Sequence, residues 1–110
     1  MKTLLWIDDC RNPYEHNFLD FSPIGKDCAI IWVKSYYQAI KYLDNFWPDA
    51  ICFDHDLGED KTGYDIAKYL VNKCIDNNLS LPKYACHSSN PVGRKNILSL
   101  LDNYNAVHSI

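Results

Sequence analysis

Four short runs rich in apolar residues constrain the fold more than any other feature of the sequence. The runs are TLLWID (residues 3–8), CAIIWV (28–33), DAICFD (49–54) and KYACHS (83–88). Short apolar runs between turn signals are typical of strands that are buried on both faces of a sheet. Because such strands pair in parallel and are joined by crossovers, the pattern predicts an α/β protein.

Helical segments separate the predicted strands. Three helices are predicted, over residues 36–46, 64–76 and 91–102. Ser35 is a suitable N-cap for the first helix, and Pro91 suits the first turn of the last one, where its missing N–H is not needed. Residues 9–27 contain several Pro and Gly turn signals and are expected to form mostly a loop.

Strands that alternate with helices through right-handed crossovers predict a doubly wound parallel sheet with strand order 2-1-3-4. Residues 105–110 (NAVHSI) are expected to add a short fifth strand. In sheets of this kind, ligands bind beyond the carboxyl ends of the strands, near the point where the strand order reverses. For the predicted order, that point lies between the first and third strands.

Length and composition exclude several classes of protein. The 110 residues are expected to form one domain, and the 47% apolar content is typical of a globular protein. The net charge of −3 provides no electrostatic basis for binding duplex DNA, and no apolar run is long enough to span a membrane. The five cysteines include no CxxC pair, and we expect them to be reduced thiols in the cytoplasm.

Acidic, imidazole and hydroxyl side chains follow three of the predicted strands. They are Asp8, Asp9, Asp54, His55, Asp56, His87, Ser88, Ser89 and Asn90. Because the carboxyl ends of parallel strands open on one rim, we expect these residues to meet there although they are far apart in sequence. Charged groups at the ends of buried strands are costly unless they are paired, bound to a metal or used in catalysis.

Proton transfer and cation binding are both predicted for this rim. His55 and His87 suit proton transfer near neutral pH, and Asp54 is a third catalytic candidate. Carboxylate oxygens are the ligands that hard cations prefer. The candidate ligands for Mg²⁺ or Mn²⁺ are Asp8, Asp9, Asp54 and Asp56.

Phosphate binding is the third predicted property of the rim. The candidate residues are Arg11, Ser88, Ser89 and Asn90. A helix that starts near Asn90 would present backbone N–H groups suited to an anion. Structural alternatives stay open, because Asp8 or Asp9 can cap a turn, Ser88 or Ser89 can cap a helix, and Arg11 can form a surface ion pair.

Three stretches carry a resemblance to a known family. They are WIDDCRNP (residues 6–13), CFDHDLGEDKTGYD (52–65) and CHSSNPVGRKNI (86–97). They resemble the cyclic-phosphate processing receiver domains, which are relatives of the receiver domains of two-component signalling. The resemblance implies a flavodoxin-like, receiver-like three-layer fold. It also implies a role on cyclic phosphates, either RNA ends that carry a 2′,3′-cyclic phosphate or cyclic nucleotides.

Departures from ordinary receivers bear on the choice of function. Asp8, Asp9 and Asp54 match the acidic pocket of receivers and Ser88 lies near their hydroxyl position, but we expect the lysine that follows the fifth strand of receivers, and their final helix, to be absent. The two histidines are not receiver features and favour phosphoester chemistry. We therefore expect a cyclic phosphodiester hydrolase that uses histidine acid–base chemistry, with or without a metal ion. The alternatives are a receiver phosphorylated on Asp54 and a non-catalytic module that binds a nucleotide or a partner protein.

Overall fold

The computed structural model describes residues 1–108, which form a parallel four-stranded sheet with three α-helices. The strands are β1 (Thr3–Ile7), β2 (Ala29–Val33), β3 (Ala50–Phe53) and β4 (Lys83–Cys86). The helices are α1 (Tyr36–Asn45), α2 (Gly63–Asn77) and α3 (Pro91–His108). The strand order is β2-β1-β3-β4, which confirms the predicted order. Within residues 1–108, no helix combines the length and the apolar character needed to cross a bilayer.

The register of the sheet aligns the three strand ends that carry polar residues. Ile7 pairs with Phe53, and Phe53 pairs with Cys86. The ladder continues one residue further, because the backbone N–H of Asp54 donates to Ile7 at 2.9 Å and that of His87 donates to Phe53 at 3.0 Å. The first polar residues after β1, β3 and β4 therefore start at the same level of the rim.

The main core lies between the sheet and the three helices. Alternate strand residues such as Leu5, Ile7, Ile51 and Phe53 are fully buried on this face. The helices contribute apolar stripes to the same core, namely Ala39 and Leu43 of α1, Ile66, Leu70 and Cys74 of α2, and Ile97 and Leu101 of α3. All three helices therefore cover one face, and the opposite face needs another cover.

That cover is the segment between β1 and β2. It contains a short 3₁₀ helix (Phe18–Phe21) and no α-helix, in agreement with its predicted loop character. Phe18, Leu19 and Ile24 pack against Trp6 and its neighbours on this face of the sheet. The chain that leaves the end of β1 therefore folds back over the sheet, and it brings Phe21 beside His87, with 6.2 Å between the ring centroids.

The predicted fifth strand is wrong for the residues that the structure describes. Residues 105–108 continue α3, and residues 109–110 lie outside the described part of the chain. The reason is the spacing of the buried residues of this helix, Gly93, Ile97, Leu101 and Tyr104, which keeps one helical face in the core past the predicted end at residue 102. The hydroxyl of Tyr104 also donates to the carbonyl of Leu79 at 2.9 Å, which anchors this last part of the helix.

Side chains cap the first turns of α1 and α3, which start near the rim. Ser35 caps α1 as predicted, since its hydroxyl accepts from the N–H of Gln38 at 3.1 Å. The cap of α3 is Asn90, whose amide oxygen accepts from the N–H of Gly93 at 3.0 Å. Ser88 supports this cap by accepting from the N–H of Asn90 at 3.1 Å. These contacts fix the start of α3 against the ends of the strands.

Gly63, the first residue of α2, provides a test of how closely this helix approaches the end of β3. A Cβ at this position would lie 1.8 Å from the carbonyl oxygen of Asp54, which is backbone and cannot rotate away. We expect Gly63→Ala to lower the free energy of unfolding in urea by about 3 kcal/mol, because inserted atoms force the backbone to shift. Gly25→Ala is the control, since nothing lies within 4 Å of its Cβ and only its φ of +82° opposes the change. Equal losses in the two variants would contradict the close approach of α2 to β3.

Candidate functional site

Asp8 is a fully buried carboxylate with four hydrogen-bonding contacts. Its Oδ1 accepts from the backbone N–H groups of Cys10 at 2.9 Å and Arg11 at 2.8 Å. Its Oδ2 lies 2.9 Å from Nε2 of His87 and 3.4 Å from Nη1 of Arg11. Asp8 therefore caps the turn after β1, as the structural alternative proposed, and it also joins Arg11 to His87.

These contacts decide the charge of Asp8. Burial alone would raise its pKa, but the hydrogen bonds from His87 and from the backbone of Arg11 and Cys10 outweigh burial and lower the pKa to about 2. Asp8 is therefore ionised near neutral pH. Since an ionised carboxylate only accepts hydrogen bonds, Nε2 of His87 carries the proton in this pair.

Arg11 lies between the two buried carboxylates of the rim. Its Nη1 is 3.4 Å from Oδ2 of Asp8 and 3.6 Å from Oδ1 of Asp54, and its Nη2 donates to Oγ of Ser89 at 3.3 Å. The guanidinium therefore contacts residues that follow β1, β3 and β4. About a third of the side chain, 30%, is exposed, so the cation also faces solvent.

Asp54 is the second buried carboxyl group. Its Oδ1 accepts from the backbone N–H of His55 at 2.9 Å. Burial raises the pKa of Asp54, and the negative charge of Asp8 raises it further, while His87, Arg11 and a hydrogen bond with Ser88 oppose the shift. Asp8 and Asp54 lie at the point where the strand order reverses. Their close approach is therefore stabilised by the positive charge between them.

His55 is oriented through one ring nitrogen. Its Nδ1 lies 3.0 Å from Oδ1 of Asp56, and the amide Nδ2 of Asn90 donates to the other oxygen of Asp56 at 3.1 Å. Both hydrogen bonds lower the pKa of Asp56, so this residue is a carboxylate that accepts from Nδ1–H. The other ring nitrogen, Nε2, makes no hydrogen bond to residues 1–108 and is not buried. In the neutral ring, Nε2 therefore carries the lone pair.

These contacts close into a ring of polar residues around the rim, here called the polar ring. Its members are Arg11, Asp54, His55, Asp56, Asn90 and Ser89. Each is linked to the next by one of the contacts above or, for Asn90 and Ser89, by the chain itself. The structure thus brings together most of the residues that the sequence predicted to meet. Asp9 is partly buried beside Asp8, with carboxylate oxygens of the two residues within 4.8 Å of each other, and its Oδ2 lies 3.1 Å from where a Cβ on Gly58 would be.

His87 lies beneath this rim and not on it. Its side chain is fully buried and stacks on Trp6, with 3.9 Å between the ring centroids and 7° between the planes. Its Nδ1 is buried and has no hydrogen-bond partner among the described residues. The sequence predicted proton transfer at the rim by both His55 and His87, but in this structure the ring of His55 is partly exposed there and the ring of His87 is enclosed beneath it. The reason is strand alternation, since Cys86 points to the helices and the next residue points to the face covered by the β1–β2 segment.

Sequence reasoning missed two tryptophans and a glycine that shape the site. Nε1 of Trp6 donates to the carbonyl of Arg11 at 2.9 Å, and Nε1 of Trp32 donates to the carbonyl of Asp8 at 2.7 Å. A Cβ on Gly93 would lie 2.3 Å from Cγ of His55, so the ring occupies the space that this glycine leaves. One signal was visible in the sequence: the tryptophans occupy equivalent positions in adjacent predicted strands, and the structure pairs them in register.

The donor groups do not fit the Mg²⁺ or Mn²⁺ site that the sequence predicted. Among residues 1–108, the one group of three or more potential ligand residues whose donor atoms all lie within 4.8 Å of one another is Asp8, Asp9 and Cys10. Burial and the charges of Asp8 and Asp9 raise the pKa of the Cys10 thiol, and a thiol is a poor ligand for a hard cation. The guanidinium of Arg11 lies between Asp8 and Asp54, so we derive no catalytic step through a metal ion.

A family comparison agrees with this arrangement. The family model described as the cyclic-phosphate processing receiver domain matches residues 3–103. The chain belongs to this family. No curated protein matches the chain significantly in sequence.

Two solved structures similar to this domain are receiver proteins. A CheY-like response regulator receiver domain from Methylobacillus flagellatus is 20% identical, with 93% of this chain and 82% of that chain covered and a TM-score of 0.61. The phosphorylated cyanobacterial phytochrome response regulator RcpA is 14% identical, with 94% and 91% covered and a TM-score of 0.50. These similarities confirm the flavodoxin-like, receiver-like fold and show the fold alone.

A third solved structure is a fusion that contains the trimeric coiled coil of yeast Spc42. It is 17% identical to this domain over 90% of the chain, with a TM-score of 0.63. The domain spans 60% of the length of that fusion.

The low pKa of Asp8 predicts a specific loss of stability in acid. Because folding lowers this pKa from 3.8 to about 2, the ionised form stabilises the fold above pH 4 and the contribution disappears as the pH falls toward 2. The contribution is roughly 2 kcal/mol for a shift of this size. We expect the free energy of unfolding in urea to fall between pH 4 and pH 2 for the wild type, and to fall by this amount less for Asp8→Asn. Parallel pH profiles for the two proteins would contradict the assignment.

Proposed function

We propose that the domain hydrolyses cyclic phosphodiesters, with His55 as the residue that accepts the proton of the attacking water. The observation that carries the proposal is the contact between Nδ1 of His55 and the carboxylate of Asp56, which leaves Nε2 with a lone pair at the rim. A carboxylate that holds one ring nitrogen is a common way to orient a histidine base. Membership in the cyclic-phosphate processing family supports the substrate class.

Phosphate binding is assigned to Arg11 and to the start of α3. The guanidinium is partly exposed and already contacts Ser89, so its remaining N–H groups are suited to two phosphate oxygens. At the start of α3, Pro91 has no N–H and the N–H of Gly93 donates to Asn90, so the N–H of Val92 is the one left for an anion. A cyclic phosphate between Arg11 and the helix start would lie near His55, since the side-chain amide of Asn90 is 3.4 Å from Nδ1 of this histidine.

The proposed reaction is a single displacement at phosphorus. Water attacks the phosphorus atom and gives a proton to Nε2 of His55. A phosphorus–oxygen bond of the ring breaks, and the released oxygen takes a proton from solvent at the open rim. The product is a phosphomonoester, and the imidazolium returns its proton to water. Arg11 stabilises the negative charge on the equatorial oxygens during this step.

The proposed role of His87 is to position Arg11. Its Nε2 holds Asp8, and Asp8 holds both the backbone and the guanidinium of Arg11. Because the side chain of His87 is fully buried, it does not touch a substrate in this conformation. Direct acid catalysis by His87 would require the segment that contains Phe21 to move away from the ring.

Replacement of His55 tests the proposed base. We expect turnover by His55→Gln to fall by roughly 10²–10⁴-fold, with substrate binding nearly unchanged, because the proton acceptor alone is lost. The assay is product formation from 2′,3′-cyclic nucleotides, cyclic dinucleotides and RNA with a 2′,3′-cyclic phosphate end, all in the presence of a chelator. His16→Gln is the matched control, since this histidine is highly exposed and pairs with Glu15. Full activity in folded His55→Gln would rule out this mechanism.

Gly93→Ala tests the orientation of His55 without removal of the imidazole. The added Cβ would collide with the ring, so the ring must turn away from its contact with Asp56. We expect a fall in kcat with little change in KM, and a shift of the His55 ring signals in NMR spectra. The neighbouring exposed residue gives the control, and Val92→Ala should leave both quantities unchanged. Unaltered ring signals in Gly93→Ala would show that the glycine does not position His55.

Phosphorylation of Asp54 is the second candidate function, because Asp54 ends the third strand of a receiver-like fold. Its carboxylate is largely buried, and its Oδ1 already contacts Arg11 and the N–H of His55. We therefore expect incubation with acetyl phosphate and Mg²⁺ to give no adduct by intact mass. An acid-labile adduct that disappears in Asp54→Asn would favour the receiver function instead.

A further inference from the structure

We infer that Arg11 is the built-in cation of the acidic pocket and occupies the place that a divalent metal ion would take. The inference goes beyond the proposed reaction and does not depend on it. Its basis is the position of Nη1, 3.4 Å from Oδ2 of Asp8 and 3.6 Å from Oδ1 of Asp54. One positive group thus bridges two carboxyl groups on adjacent strands.

The hydrogen bonds of Asp8 leave no room for a second cation. A carboxylate offers about four lone-pair directions, and Asp8 uses them for two backbone N–H groups, for His87 and for Arg11. A divalent ion bound to Asp8 would have to displace one of these donors. The only one of the four that is partly exposed and at the end of a flexible side chain is the guanidinium of Arg11.

Arg11 is held in this place by its backbone as well as its side chain. Its N–H donates to Asp8, and its carbonyl accepts from Nε1 of Trp6. At the far end, Nη2 donates to Ser89. The guanidinium is therefore fixed at both ends of the residue before any ligand arrives, which is the arrangement expected of a preorganised charge and not of a mobile surface arginine.

These contacts of Arg11 are expected to exclude a divalent metal ion from the acidic pocket. A Mg²⁺ ion requires a nearly octahedral set of oxygen ligands at about 2.1 Å, and it would lie next to the fixed positive charge of Arg11. Removal of that charge frees one lone-pair direction of Asp8 and takes away the guanidinium that lies between Asp8 and Asp54. Loss of Arg11 should therefore create a cation site that the wild type lacks.

The experiment compares Mn²⁺ binding by wild type, Arg11→Gln and Arg94→Gln. Arg94 is the matched control, because it is the other arginine of the sequence and is exposed on α3. Binding is read from the EPR signal of free Mn²⁺ and from the melting temperature with and without the ion. We expect no binding at about 1 mM Mn²⁺ by wild type or Arg94→Gln, and a higher melting temperature for Arg11→Gln with the ion.

Three outcomes would overturn the inference. One is Mn²⁺ binding by the wild type that paramagnetic broadening places at Asp8 and Asp54. The second is a folded Arg11→Gln variant that binds Mn²⁺ no better than the wild type. The third is an Arg11→Gln site that persists unchanged when Asp54→Asn is added. If Arg11→Gln does not fold, the wild-type EPR titration decides alone, and absence of binding supports the inference.

Failure of this inference can be distinguished from failure of the proposed function. If the wild type binds Mn²⁺ in the pocket and turns over cyclic phosphates only with the ion, the proposed hydrolase activity stands, while the metal-free step and the role of Arg11 as the cation are both wrong. If the wild type binds no Mn²⁺ and turns over no cyclic phosphate, the hydrolase proposal fails and the inference about Arg11 stands.

Discussion

The buried carboxylate of Asp8 is the interaction on which the rest of the site depends. It accepts from the turn after β1, from His87 and from Arg11, and so it connects the ends of β1 and β4 beneath the rim. An isolated charge in this position would be strongly destabilising, and only its complete set of hydrogen bonds makes burial tolerable. The orientation of Arg11, and through Arg11 the compensation of Asp54, follows from this one group.

The site divides into two layers that have different chemistry. The lower layer contains Asp8, His87 and Trp6, is closed to solvent, and holds one negative charge firmly in place. The upper layer contains Arg11 and His55, both partly exposed, and it offers a fixed cation and a nitrogen lone pair. In the proposed mechanism, proton transfer and phosphate recognition both take place in the upper layer. A fixed lower layer reduces the reorganisation needed when charge develops on a phosphate.

The fold and the meeting of most site residues at one rim could be predicted from the sequence, because strand order and the convergence of strand ends follow from simple periodicity and topology. The missed continuation of α3 was also accessible, since Ile97, Leu101 and Tyr104 lie at helical spacing. The burial of His87 and the bridging position of Arg11 were not accessible. The first depends on which face the β1–β2 segment covers, and the second depends on the conformation of a turn, which composition does not specify.

A crystal structure of the His55→Gln variant with a 2′,3′-cyclic nucleotide is the most direct measurement of whether Arg11 and His55 act on one phosphate without a metal ion. The ligand would be added once with a chelator and once with Mn²⁺. We expect the same complex in both cases, with phosphate oxygens within hydrogen-bonding distance of the Arg11 guanidinium and residue 55 facing the phosphorus atom. A phosphate bridged by Mn²⁺ to Asp8 and Asp54, with Arg11 turned away, would contradict this expectation.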